Sequence, residues 1–293
     1  MQTRRSFLIS SGLVATLAAS PAWTLSFPSG VYDLLDTAMA DLEARSRGRL
    51  GVAILESGSG MTYAWRGMER FRMASTFKAL LAGAVLRRVD QGQESLAREV
   101  EVRPEDLVEY APVVEPMVGQ SLTVGALCEG TVTLSDNAAA NLLLDSMGGP
   151  EGFTAILREI GDEVTRLDRR EPDLNTGTPD DPRDTSTPLA YLATLQRMLL
   201  GNALSTAGRE QLLAWLVANK TGDDRIRAGV PEGWTVGDKT GTSGQGDIHD
   251  IAVLVPPKGV PILVVAFLSE TDQPIEEMNG IHAEIGALAA QVA

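Results

Sequence analysis

Ser75-Thr76-Phe77-Lys78 opens onto Ala79-Leu80-Leu81-Ala82-Gly83-Ala84-Val85-Leu86, a run with no polar face. A helix that is apolar all round is a buried helix, so this stretch is predicted to run through the middle of a large core. A lysine is out of place at its start. At i, i+3 spacing the Ser75 hydroxyl and the Lys78 amine share one face, and burial that depresses the amine's pKa would let it hold or take the hydroxyl's proton. The helix N-terminus adds free N–H groups and a positive dipole end beside the serine. A capping serine with a lysine snorkelling to solvent would use the same residues. The lysines are Lys78, Lys220, Lys239 and Lys258, so this is the chain's one Ser-x-x-Lys.

The flanking patterns place that helix in a larger order. Upstream, Val31 to Arg45 has helical spacing, and Leu50 to Leu55 with Met61 to Trp65 flank the turn Glu56-Ser57-Gly58-Ser59-Gly60 as a β-hairpin. Downstream, helical patterns dominate from about Ser75 to Asn219. Trp234 to Thr240, Asp250 to Val255 and Pro261 to Leu268 then read as strands, and Ile275 to Val292 as a closing helix. Strands at both ends and helices between them predict an α/β protein of the α+β type: one sheet built from both chain termini, with an inserted all-helical subdomain. The cleft between the two parts is the natural place for a site. One segment breaks the helical region. Arg166 to Pro188 carries Pro172, Pro179 and Pro182 among Asp168, Asp173, Asp180, Asp181 and Asp184, and is too long for a mere connector.

Composition narrows the function classes. The 293 residues are 44% hydrophobic and 22% charged, inside the globular range. A formal charge of -14 without a basic cluster excludes nucleic acid as a partner. One cysteine and two histidines leave no disulfide framework and no histidine-rich metal site, so no metal and no cofactor is expected. Residues 1–22 read as an export signal: Arg4 and Arg5, an uncharged stretch from Phe7 to Ala19, then Ser20-Pro21-Ala22. The stretch is shorter than the roughly 20 residues of a membrane span, so no stable anchor is expected. Thr3-Arg4-Arg5-Ser6-Phe7-Leu8 carries the twin-arginine pattern. The expected location is the periplasm or the exterior of a bacterium.

Three further motifs carry possible chemistry. Ser135-Asp136-Asn137 precedes the apolar Ala138-Ala139-Ala140-Asn141-Leu142, where helix capping would suffice, yet its hydroxyl and amide could relay a proton and grip a substrate amide. Glu171-Pro172-Asp173-Leu174-Asn175 sets a carboxylate and an amide four residues apart, able to hold one water, unless the glutamate is simply a solvated loop residue. Lys-Thr-Gly occurs twice. Lys220-Thr221-Gly222 ends a helical pattern with ordinary helix-stop residues and is assigned no chemistry. Lys239-Thr240-Gly241-Thr242 follows a strand and can offer an ammonium, hydroxyls and N–H groups to an anionic ligand.

Taken in order, Ser75-Thr76-Phe77-Lys78, Ser135-Asp136-Asn137, Glu171 to Asn175 and Lys239-Thr240-Gly241 resemble the complete signature of class A serine β-lactamases. The resemblance implies the β-lactamase/penicillin-binding fold, an antiparallel sheet with flanking helices on a helical subdomain. Residues 23–293 would be the catalytic unit, with an α/β part at about 23–66 and 217–293 and a helical part at about 67–216. It implies hydrolysis of penicillins and cephalosporins; with no oligomer signal in the sequence, a monomer is the default expectation. Ser75 would be the nucleophile, with an oxyanion hole from the N–H groups of Ser75 and Thr242. Lys78 or Glu171 would take the serine proton, Ser135 would protonate the leaving nitrogen, and Glu171 with Asn175 would activate water. Lys239, Thr240, Gly241, Thr242 and Arg225 would form the carboxylate-binding group, Asn137 would hold the acylamide, and Tyr110 would wall the entrance. Arg169 and Asp184 would pin the neck of the Ω-loop, and the Glu171-Pro172 bond would be cis.

The departures concern substrate range. Cys128 faces Ala82 where some members have a disulfide, so a free buried thiol is expected. Ala74 and Ser243 stand where several carbapenemases carry a disulfide, whereas Arg225 with Thr242 is a pairing shared with carbapenem-hydrolysing members. These two clues point in opposite directions, leaving carbapenems open. The nearest rival, a D-alanyl-D-alanine carboxypeptidase or transpeptidase, lacks the Glu171 to Asn175 element. A sensor domain would need a membrane segment after residue 22.

Overall fold

A computed structural model describes residues 29–292, and the predicted export signal lies outside them. Helix α1 (Ser29–Ser46) leads into β1 (Arg49–Glu56) and β2 (Thr62–Trp65). The two-residue β3 (Phe71–Arg72) and a 3-10 turn, Ala74–Thr76, deliver the chain to α2 (Phe77–Asp90). A ribbon of β4 (Glu99–Glu101) and β5 (Ser121–Thr123) precedes α3 (Val124–Thr133), α4 (Asn137–Asp145) and α5 (Gly149–Glu159). After the long loop come β6 (Thr185–Ser186), α6 (Pro188–Leu199), α7 (Thr206–Val217) and the short α8 (Ile226–Gly229). Strands β7 (Thr235–Thr242), β8 (Ile248–Val255) and β9 (Ile262–Ser269) and helix α9 (Ile275–Ala290) close the chain.

The main sheet has the order β2-β1-β9-β8-β7, so the N-terminal hairpin pairs with the C-terminal strands as expected. Every pairing is antiparallel, with Arg49 opposite Ser269 and Lys239 opposite Ile251. Alternation along the strands divides the interior in two, because successive side chains point to opposite faces. From β9, Leu263, Val265 and Phe267 join α2 and the helical subdomain in one core. Ile262, Val264, Ala266 and Leu268 face α1 and α9 in the other. Burial on both faces explains why β9 reads as an unbroken apolar run. Helix α2 is buried at every residue from Phe77 to Leu86, as its sequence predicts.

Two differences from the sequence reading bear on the site. Strand β7 runs on past Thr240, so Gly241 and Thr242 belong to the ladder and pair with His249 and Ile248. A glycine followed by a threonine resembles a turn, but the partner strand supplies the hydrogen bonds. The long loop also has internal order: a 3-10 turn at Asp173–Asn175, and β6, which pairs Thr185 with Arg72 and Ser186 with Phe71.

Candidate active site

The site is assembled where α2, the loop before α4, the long loop and β7 meet. Ser75 lies in the 3-10 turn, held by the Thr76 hydroxyl on Met73 O (2.7 Å), the Tyr191 hydroxyl on Thr76 O (2.7 Å) and the Met73 N–H on Asp184 O (2.9 Å). Strand β7 presses on this turn. A Cβ at Gly241 would stand 3.0 Å from Met73 O and 3.2 Å from Thr76 N, so any larger residue would have to push the turn back by a few tenths of an ångström. Ser75 is not the α2 cap, and Lys78 is fully buried, which removes the capping and snorkelling explanations.

Lys78 is the hub of the polar network. Its Nζ donates to Ser75 Oγ (3.0 Å), Ser135 O (2.8 Å) and Asn137 Oδ1 (2.5 Å), and pairs with Glu171 Oε1 at 3.0 Å. Burial drives its pKa below the ordinary lysine value, opposed by the Glu171 carboxylate. The Ser75 hydroxyl also reaches Glu171 Oε1 at 3.4 Å, and Asn175 Nδ2 donates to Glu171 Oε2 at 2.7 Å. The neck of the long loop is closed by Arg169 Nε on Asp184 Oδ2 (2.6 Å), and the Glu171-Pro172 bond is cis.

Ser135 is turned inward by its neighbour. The buried Asp136 caps α4 through the Ala139 N–H (2.7 Å) and accepts the N–H groups of Val113 (2.7 Å) and Val114 (3.0 Å). Ser135 takes a left-handed φ of 60°, as do Ala74 (43°) and Tyr110 (62°), all beside the reactive groups. Its hydroxyl lies between two amines, 3.4 Å from Lys78 Nζ and 3.1 Å from Lys239 Nζ. Lys239 is fully buried, and burial together with the Lys78 cation holds it well below the ordinary lysine value.

On the β7 side, the 5% exposed Arg225 donates to Thr242 Oγ1 (2.7 Å), Gly241 O (3.0 Å), His249 O (2.5 Å) and Asn279 Oδ1 (3.0 Å). The result is a cleft of about 480 Å³ with Ser75, Ser135, Asn175, Arg225, Thr240 and Thr242 among its lining residues. Tyr110, 57% exposed, and Asn137 complete the opposite wall. All the residues singled out in the sequence therefore converge. The wall beside Ser75 presents hydroxyls and a guanidinium, with the Lys239 amine buried behind it.

The chain matches the β-lactamase enzyme family over residues 34–293. It is 48% identical to β-lactamase AST-1 of Nocardia asteroides over 249 residues, spanning 85% of this chain and 80% of that one. The chain belongs to the class A β-lactamases. Among solved structures it is similar to the ancestral GNCA class A β-lactamase, with a TM-score of 0.86, 56% identity and coverage of 90% of this chain and 100% of that chain. It is also similar to a β-lactamase from Xanthomonas campestris pv. campestris, with a TM-score of 0.87, 45% identity and coverage of 89% and 98%.

In this β-lactamase two site residues escaped the sequence reading. Thr221, in the Lys-Thr-Gly copy assigned no chemistry, lines the cleft with its Oγ1 2.5 Å from Thr240 Oγ1. The helix-stop explanation holds for the exposed Lys220 but fails for Thr221. Asn219 Nδ2 bonds the buried Asp238 carboxylate at 2.5 Å, and Gly222 passes so close to it that a Cβ would overlap Asp238 Oδ2. Asn141 clasps the Glu171 backbone, donating to its carbonyl (2.9 Å) and accepting its N–H (3.1 Å). The available signal was its position one helical turn after Asn137 in an otherwise apolar helix. Cys128 is free and buried as expected, and burial raises its thiol pKa.

Proposed function

We propose that this enzyme opens the β-lactam ring of penicillins and cephalosporins through an ester on Ser75 and then hydrolyses that ester. Ser75 Oγ attacks the ring carbonyl while its proton passes to Lys78 or to Glu171. The N–H groups of Ser75 and Thr242 stabilise the oxyanion. The ring C–N bond breaks, and Ser135, fed by the two amines beside it, gives the nitrogen its proton. Glu171, steadied by Asn175, deprotonates a water that attacks the ester carbonyl, and Ser75 leaves with a proton restored. Lys239, Thr240, Thr242 and Arg225 receive the substrate carboxylate through charge-assisted hydrogen bonds. Asn137 takes the acylamide, and Tyr110 bounds the entrance.

One observation carries this reading: Ser75 Oγ touches two groups from different elements that can each serve as a base, accepting from Lys78 Nζ at 3.0 Å and donating to Glu171 Oε1 at 3.4 Å. One base can serve ester formation, and a second lets water release it. A penicillin-binding transpeptidase lacks the second. Action as a monomer, with residues 23–293 as the catalytic unit, is part of this proposal. A periplasmic or secreted location rests on the pattern of residues 1–22. Steady-state hydrolysis of a penicillin, a cephalosporin and a carbapenem by the purified protein tests the proposal. Multiple turnovers are expected with the first two. Stoichiometric acylation without turnover would refute the hydrolytic role.

A further inference from the structure

We propose that Arg72 and Asp247 form a buried clamp that sets the width of the cleft on its loop side and so decides which acyl side chains this enzyme admits, an inference that rests on the hydrolytic reading above. Arg72 ends β3, three residues before the nucleophile. Its Nη1 donates to Asn175 O (3.3 Å), Gln245 Oε1 (3.0 Å) and Asp247 Oδ2 (3.0 Å), and its Nη2 to Gly177 O (3.1 Å). One guanidinium therefore joins the long loop to the turn between β7 and β8.

Asp247 extends the connection to the rim of the cleft. Its Oδ2 also accepts the Ser243 hydroxyl (2.6 Å), and its carbonyl accepts the Ser243 N–H (3.0 Å). Both side chains of the ion pair are about nine-tenths or more buried, at 10% and 5% exposure, so solvent screens them little. A lysine could not replace Arg72, because the bonds to two loop carbonyls and a carboxylate require the planar fork.

The clamp is also a partition. Asn175, Ser243 and Gly244 line the reactive cleft on one side. Gly177, Gln245, Asp247 and Arg72 line a second cavity of about 110 Å³ on the other. Removing the guanidinium joins the two spaces and frees Asn175, whose amide holds Glu171. Bulky acyl substituents gain room, while water activation loses its fixed geometry.

The test compares wild type and R72A on benzylpenicillin and on a cephalosporin with a branched oximino side chain. The ratio of kcat/KM for the bulky substrate to that for the compact one should rise by about tenfold, the scale on which pocket size discriminates. For benzylpenicillin, kcat and KM should fall together as the acyl-enzyme accumulates. R72K should behave like R72A, and R72M/D247N, which leaves no carboxylate buried without its cation, carries the same expectation if R72A does not fold. A ratio unchanged from wild type in the folded variant overturns the clamp. Absence of benzylpenicillin turnover in the wild type would instead overturn the hydrolytic reading.

Discussion

Replacing Glu171 with glutamine separates the two halves of the reaction. The carboxylate lies 3.0 Å from Lys78 Nζ and 3.4 Å from Ser75 Oγ, and its other oxygen is held by Asn175 at 2.7 Å. Glutamine keeps the size and much of the hydrogen bonding but cannot accept a proton. A positioned general base is worth about 10²- to 10⁴-fold, or about 3 to 5 kcal/mol of barrier, and ester hydrolysis should slow by that factor. Lys78 responds in the opposite direction. Burial already lowers its pKa and the Glu171 charge supports it. Loss of that charge lowers it further, so the amine stays neutral to lower pH. If neutral Lys78 is the acylation base, ester formation persists and the acid limb of its pH profile moves to lower pH. If Glu171 is that base, acylation slows together with hydrolysis. Intact mass after mixing with benzylpenicillin, and stopped-flow acylation from pH 5 to 8, read both steps. Wild-type turnover with no accumulated ester would refute the assignment of Glu171.

Arg225→Ala should cost about 1 to 3 kcal/mol in kcat/KM for a carboxylate-bearing substrate, the value of a lost charge-assisted hydrogen bond, while the methyl ester of the same substrate should lose much less. An equal loss for acid and ester would move the carboxylate-binding role elsewhere. The buried imidazoles of His249 and His282 are pushed down to about 4 and about 3, in each case mainly by burial. Below the ordinary value of 6.5 the unfolded chain binds protons that the folded chain excludes. The contribution of each histidine to stability is therefore full above about pH 6.5 and falls toward pH 4 by about 1.4 kcal/mol per pH unit. His249→Asn should make stability in urea unfolding fall less steeply between pH 6.5 and pH 4.5, and an unchanged slope would refute it.

The local patterns marked most of the elements, while the chemistry became legible only from the four motifs taken together in order. An apolar run with a lysine at its head announced α2, short apolar strand-like runs at both ends announced the sheet, and the spacing of Ser75 with Lys78 and of Glu171 with Asn175 announced pairs that share a face or a turn. Such signals work because they concern residues within one helical turn or one strand, where backbone geometry fixes which side chains meet. Thr221 and Asn141 were missed for the converse reason. One is defined by a hydroxyl on β7, the other by a peptide group of the long loop, and the residues alongside do not name either partner.

What the amino-acid order alone determined was the inventory: a lysine at the head of an apolar helix, the inserted helical block, the acidic and proline-rich loop, and the four motifs in sequence. Tertiary structure decided their mutual geometry. It set the Ser135 hydroxyl between two amines, extended β7 through Thr242, and brought Arg72 to Asp247 across 175 positions of chain. Contacts at that separation form only once the hydrophobic faces on either side of the sheet have packed. Their distances are consequences of the whole core, and no short stretch of sequence contains them.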